Sequence, residues 1–275
     1  MDWDQLGFAT LCLAVGAFVQ SSIGFGMGIV SVPLLVSNGC SLPIALAVLM
    51  PNVLLQTAVS CWRLRAHLPW RDSWRLVVWR LTSLPLGIYL LTLVSARGIA
   101  ASRMLLGVTL VVLLLAPLGR GPTRTSVADP GGSDPANDGD IAERTAVAPA
   151  APPGPVWTCL AGLTSGLLMG LNGMGGPPLM AWVMRQDWPN QRQRAFLWLS
   201  FLLALPVQIT LMTWRFGSPW RDGLVVGSCA IPVVLLVTWL VGTWADNWSK
   251  ERLRWGMRLF LFLLALRLIL FPGLG

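Results

Sequence analysis

The chain has 275 residues, of which 55% are hydrophobic and only 12% charged, with a mean hydropathy of +0.65. Soluble domains typically carry about 25% charge, so the composition argues against a soluble enzyme and for a multi-spanning membrane protein. The net charge of +8 comes from 20 basic against 12 acidic residues, and every basic residue except Lys250 is an arginine. The arginines sit mostly between apolar runs. That is the pattern of loop charge that sets membrane topology, not of a stripe that binds nucleic acid.

The first half, residues 1–118, opens on an apolar stretch at 5–38 that is broken by glycines. Apolar segments at about 42–62, 73–95 and 100–118 follow it. Residues 119–155 hold seven prolines, six glycines and five acids, a composition that cannot bury a core and predicts a disordered cytoplasmic linker. The second half, 156–275, opens on another glycine-broken stretch at 156–184, followed by segments at 194–214, 222–245 and 252–271. Each of these six segments is predicted to be long enough to cross a bilayer, which takes about 20 helical residues.

The halves echo each other. Pro69-Trp70-Arg71-Asp72 recurs as Pro219-Trp220-Arg221-Asp222 at an offset of 150, and Gly26-Met27-Gly28 as Gly173-Met174-Gly175 at 147. Leu42-Pro43 corresponds to Trp188-Pro189 at 146. Three matches in one order at nearly one offset indicate an internal duplication, a common construction in transporters.

Each broken stretch is polar in its middle. Gln20, Ser21, Ser22, Gly24, Gly26 and Gly28 occupy the first; Ser165, Gly166, Gly170, Asn172, Gly173, Gly175 and Gly176, then Pro177 and Pro178, occupy the second. Backbone opened at membrane depth must be satisfied by protein, water or ligand. Each stretch is therefore either one kinked span or a hairpin of two short helices. Loop charge favours the hairpin. If each stretch crosses once, the two sides hold nine and eight basic residues; if each returns, the split is 13 to four. The positive-inside rule prefers the second arrangement. It makes the repeats inverted, with the linker inside and both termini outside.

Two such breaks should meet near the membrane midplane, exposing half-helix N-termini that suit anions. Asn52, Gln56, Ser200 and Gln208 add polar groups within apolar runs, with Gln56 and Gln208 at similar places after each break. The plainer reading of the glycines is close helix packing, since Gly162, Gly166 and Gly170, and likewise Gly24 and Gly28, follow small-xxx-small spacing. Arg80 and Arg267 lie within apolar runs near their ends, where snorkelling is expected. Trp62, Trp70, Trp79, Trp214 and Trp220 neighbour arginines and read as interface anchors.

Rare residues narrow the function further. Lys250 follows Ser249, so the glycine that precedes a Walker A lysine is missing. His67 is the only histidine, and Cys12, Cys40, Cys61, Cys159 and Cys229 lie singly, as small apolar packing residues do rather than zinc or disulfide frameworks. The start, Met1-Asp2-Trp3-Asp4, lacks the basic region of a signal peptide, so the first run is expected to stay as a span. No acid falls inside an apolar run. A buried-acid proton relay, a cation antiporter and an intramembrane protease all lack their groups. The expectation is no enzyme and no cofactor. The partners are a small anion and the lipid bilayer, with no nucleic acid; a homo-oligomer is compatible with such a body.

In its second copy the chain runs Gly162-Leu-Thr-Ser165-Gly166-Leu-Leu-Met-Gly170-Leu-Asn172-Gly173-Met-Gly175-Gly176-Pro177-Pro178-Leu179. This is similar to the pattern GxxSGxxGxGGGxxxxPxL of the TauE/SafE sulfite exporter family. The first copy, Ser21-Ser22-Ile23-Gly24-Phe25-Gly26-Met27-Gly28 leading to Val32-Pro33-Leu34, fits more loosely, with Met27 where the family usually has glycine. Arg194-Ala195 and Ala45 resemble the start of the helix after each break. The resemblance covers both halves and omits the linker. It implies a transporter in a bacterial cytoplasmic membrane that exports sulfite, sulfonates or related anions. Uptake of a similar anion and a non-transporting scaffold are the rival readings.

Overall fold

The computed structural model describes residues 3–23, 26–115, 154–186, 188–244 and 250–270. Gly24 and the expected linker, apart from its last two residues, lie outside the described residues. The described chain is helical: α1 (Trp3–Ile23), α2 (Met27–Ser37), α3 (Leu42–Arg63), α4 (Trp70–Ala96), α5 (Ile99–Leu115), α6 (Pro155–Asn172), α7 (Gly176–Val183), α8 (Asn190–Phe216), α9 (Ser218–Cys229), α10 (Ile231–Trp244) and α11 (Lys250–Leu270). One 3-10 turn, Arg65–His67, joins α3 to α4.

Both glycine-broken stretches fold back as hairpins. In the first, the Ser31 hydroxyl donates to the Cys12 carbonyl at 2.9 Å, and Gly16 lies directly against Ser31 and Met27. In the second, the Ser165 hydroxyl donates to the Gly175 carbonyl at 2.6 Å, and Trp182 Nε1 donates to the Thr158 hydroxyl at 3.0 Å. Such pairings, in which one residue number rises as the other falls, occur only between antiparallel neighbours. The turns need glycine: Gly26 has φ 120° and Gly173 φ 73°, left-handed backbone that a Cβ disfavours. At the far end of the first hairpin, Arg103 caps α2. Its Nε donates to the Val36 carbonyl at 3.2 Å and its Nη2 to the Ser37 carbonyl at 3.4 Å, closing orphan C-terminal carbonyls.

The loops confirm which helix ends lie together. Arg192, at the start of α8, reaches Asp72, at the start of α4, at 2.7 Å. A hollow on the opposite side brings together Phe8, the 38–41 turn, Ile99, Pro219 and Asp222. Had the broken stretches crossed once, each of these groups would have been divided between the two sides.

Among the described residues, three helices are long and apolar enough to cross a membrane: Leu42–Arg63, Trp70–Ala96 and Gln191–Phe216. The segment expected at 222–245 is instead two helices, α9 and α10, bent by 47°. Pro232, second in α10, lacks the N–H that a continuous helix would use there. The expected segments at 100–118 and 252–271 hold α5 and α11.

An apolar core is enclosed by a surface that is apolar as well. Large apolar side chains face outward, among them Leu86, Tyr89, Val112, Leu236 and Trp239, while Gln20, Asn52, Gln56, Asn172, Ser200 and Gln208 are buried. Lipid takes the outer face without cost; the buried amides need internal partners. The closest seam runs between α4 and α6. A Cβ on Gly162 would meet Leu76 and Trp79, one on Gly166 the Arg80 carbonyl, and one on Gly170 the Leu84 carbonyl. This stripe is packing, as small-xxx-small spacing suggests.

Two expectations about polar side chains are corrected. Arg80 does not snorkel: it is 0% exposed, because α4 is covered along this face by α6 and α8. Trp220 is not an interface anchor. It is buried and stacks on Phe216 with ring centroids 6.3 Å apart, whereas Trp62, Trp70, Trp79 and Trp214 are exposed.

Candidate functional site: the meeting point of two hairpin tips

The two glycine turns touch. A Cβ on Gly28 would lie 2.7 Å from the Gly173 carbonyl oxygen, closer than real contacts allow. Around this contact, side chains tie down the opened backbone. Gln20 Oε1 accepts from the Met27 N–H at 3.0 Å, filling the first orphan donor of α2. Asn172 Oδ1 accepts from the Met174 N–H at 3.1 Å, which steadies the second turn.

Each long helix after a break sends a glutamine to its own hairpin. Gln56 Nε2, on α3, donates to the Ser21 hydroxyl at 3.1 Å and to the Thr238 hydroxyl at 3.0 Å. Gln208 Nε2, on α8, donates to the Met169 carbonyl at 2.8 Å. The other amide atom of each, Oε1, is buried without a partner. So are Asn172 Nδ2 and the Ser200 hydroxyl.

A cavity of about 30 Å³ lies at the tips, room for about two waters. Of the residues singled out in the sequence, Gln20, Gly26, Gly28, Gly173, Gly176 and Gln208 line it. Ser165 and Gly175 stand just behind, in their mutual hydrogen bond. Ser21 and Gln56 meet each other at the first hairpin but do not line the cavity. Ser22 donates to its own helix at Phe18. Asn52 bridges α3 to α9 through the Gly227 carbonyl at 2.8 Å, and Gly170 belongs to the α4–α6 seam; neither reaches the cavity.

The family model for sulfite exporter TauE/SafE matches residues 8–268. The chain belongs to the sulfite exporter TauE/SafE family. It is 26% identical over 238 residues, 86% of this chain and 82% of the relative, to a protein of Cupriavidus necator named probable sulfite/organosulfonate exporter TauE. No solved structure matches.

In this TauE/SafE chain the cavity also has walls that sequence reasoning passed over. Met27, Met169, Met174 and Phe201 line it. Met27 and Met174 are the central residues of the two Gly-Met-Gly copies, so the duplication itself could have marked them. Met169 sits among the glycines of the second break and Phe201 in the apolar run of α8, and neither carries such a mark.

Arg80 does not line the cavity but touches two residues that do. Its Nη2 donates to Met169 Sδ at 2.7 Å, its guanidinium stacks 4.5 Å above the Phe201 ring, and its Nε and Nη1 are buried with no partner.

Proposed function

We propose that this TauE/SafE chain exports small sulfur-containing oxyanions, sulfite or sulfonates, across a bacterial cytoplasmic membrane. The observation that carries the reading is the tip-to-tip contact of two glycine hairpins, one from each half, around a small cavity lined in part by Gln20 and Gln208, inside an apolar-coated bundle. The family and the name of the C. necator relative supply the substrate class. The hairpins, with the shared helix ends marked by Asp72–Arg192, support inverted repeats with the linker in the cytoplasm.

Export of an anion needs no motor in the chain. With the inside negative, each outgoing negative charge gains about 2.3 kcal/mol per 100 mV. The tips are the barrier in this account. A cavity that holds about two waters is too small for a four-atom oxyanion, so the hairpins part to let substrate pass. Gln208 Oε1 is an acceptor in the cavity wall, and it suits a substrate that carries a proton, such as hydrogensulfite.

Purified protein in liposomes tests the function. Export predicts saturable release of loaded sulfite or methanesulfonate, with chloride ineffective as a competitor. A scaffold or accessory subunit would release no anion of the panel. Vesicles of known orientation, assayed by counterflow, separate export from uptake.

A further inference from the structure

We propose that Arg80 is the residue that neutralises the substrate anion, a role that rests on the export reading above. A guanidinium wholly removed from water normally has a carboxylate beside it, because an unpaired buried charge is costly. Arg80 is 0% exposed, and no acid pairs with it among the described residues. Among the described residues its one hydrogen-bond partner is the Met169 thioether, 2.7 Å from Nη2, and sulfur is a weak acceptor. Nε and Nη1 have none. The protein holds a cation in place and leaves most of its donors unused.

Its position explains what they serve. Met169, which the guanidinium hydrogen-bonds, and Phe201, on which it stacks, both line the cavity at the hairpin tips. A Cβ on Gly175 would come 3.2 Å from Arg80 Nη2, so the guanidinium stands directly against the second tip. The second tip also needs it. Pro177 and Pro178 occupy the first turn of α7 and remove two N–H donors that a helix N-terminus would offer an anion. Arg80 returns donors and a full positive charge to that place. An oxyanion entering between the tips displaces Met169 from Nη2 and takes the planar fork through two oxygens, geometry that favours arginine over lysine.

The duplication makes the site one-sided. The offset of 150 that relates the two Pro-Trp-Arg-Asp copies puts Ala230, at the α9–α10 bend, in the place of Arg80. One cation therefore serves both hairpins, which fits a single anion site and not two.

Full-length protein in liposomes, with sulfite as probe, tests this through Arg80→Met and Arg80→Lys. Sulfite efflux and the sulfite-induced rise in melting temperature are measured for each. Arg80→Met is expected to melt no lower than wild type, since it removes an unpartnered buried charge, yet to lose the sulfite-induced rise and roughly tenfold or more of its efflux. Arg80→Lys keeps charge without the fork and is expected to fold and to raise the sulfite KM roughly tenfold. Wild-type sulfite response in Arg80→Met overturns the proposal. So does an Arg80→Met that fails to fold beside an Arg80→Lys with unchanged KM, which would make the charge purely structural. A wild-type protein that neither binds nor releases sulfite overturns the export reading itself, a result distinct from either.

Discussion

Gly28 and Gly173 are in backbone contact across the two halves of the chain: a methyl group on Gly28 would sit 2.7 Å from the Gly173 carbonyl oxygen. The neighbour is backbone and cannot swing aside as a side-chain end would. The smallest substitution therefore pushes one hairpin off the other, at the wall of the cavity.

Gly28→Ala is accordingly expected to cut sulfite efflux roughly tenfold or more while the protein still reaches the membrane, since overpacking at one contact costs about 1–3 kcal/mol. Vesicle efflux, normalised to protein recovered by size exclusion, checks it. Gly39→Ala is the control. Gly39 has a positive φ, 86°, which Gly28 does not, and nothing lies within 4 Å of its Cβ position, so alanine there strains only the 38–41 turn and efflux should stay near wild type.

Gly166→Leu should fail differently. Its Cβ would run into the Arg80 carbonyl and the Ser83 hydroxyl, in the closest seam of the molecule. The expected outcome is loss of folded protein, seen as a large fall in melting temperature or aggregation on size exclusion. A folded Gly166→Leu with defective efflux would move this glycine from packing to pathway.

The contrast between these glycines bounds what the sequence could say. Both hairpins were legible, because glycine and polar residues in the middle of an apolar run are costly in lipid, and loop arginines distinguished return from crossing. A meeting of the two breaks was an expectation from the duplication, but the contact of Gly28 with Gly173 was not in it. Arg80 was not legible. In one dimension it is an arginine near the start of an apolar run, and only the packing of α4 under α6 and α8 turns a snorkelling side chain into a buried one. A hint was present: the Gly162-Gly166-Gly170 stripe requires some helix to approach closely, though not which one. Trp220 misled for the same reason, since neighbouring arginines mark an interface only where the helix end is exposed. The bend at Ala230 was hidden because Pro232 reads equally well as a tolerated proline inside a span.

Arg103 holds the end of α2 through the Val36 and Ser37 carbonyls. Hydrogen bonds to a charged group contribute about 1.5–3 kcal/mol, and Arg103→Ala leaves those carbonyls unmet in a buried place. A fall in stability of about that size is expected in denaturant or thermal unfolding, with Arg103→Lys intermediate. An unchanged melting temperature would mean that water replaces the cap.

The Asp72–Arg192 pair should contribute little to stability, because its side chains are 42% and 46% exposed and exposed pairs typically give about 0.2–1 kcal/mol. A double-mutant cycle with Asp72→Asn and Arg192→Gln should return a coupling in that range, shrinking as salt rises. Its greater value is as a marker of which loops share a side. In a cysteine-free background, Arg97→Cys should react with a membrane-impermeant thiol reagent in intact cells, and Arg65→Cys only after permeabilisation.

The most direct test of the central claim, that the two hairpin tips form the path of an exported sulfur oxyanion, is sulfite release from liposomes carrying wild-type protein or Gly28→Ala at equal density. Wild type is expected to release sulfite saturably, faster when the imposed potential drives anions out, and the variant roughly tenfold or more slowly. Equal release by the two proteins, or none by wild type across sulfite and methanesulfonate, would contradict it.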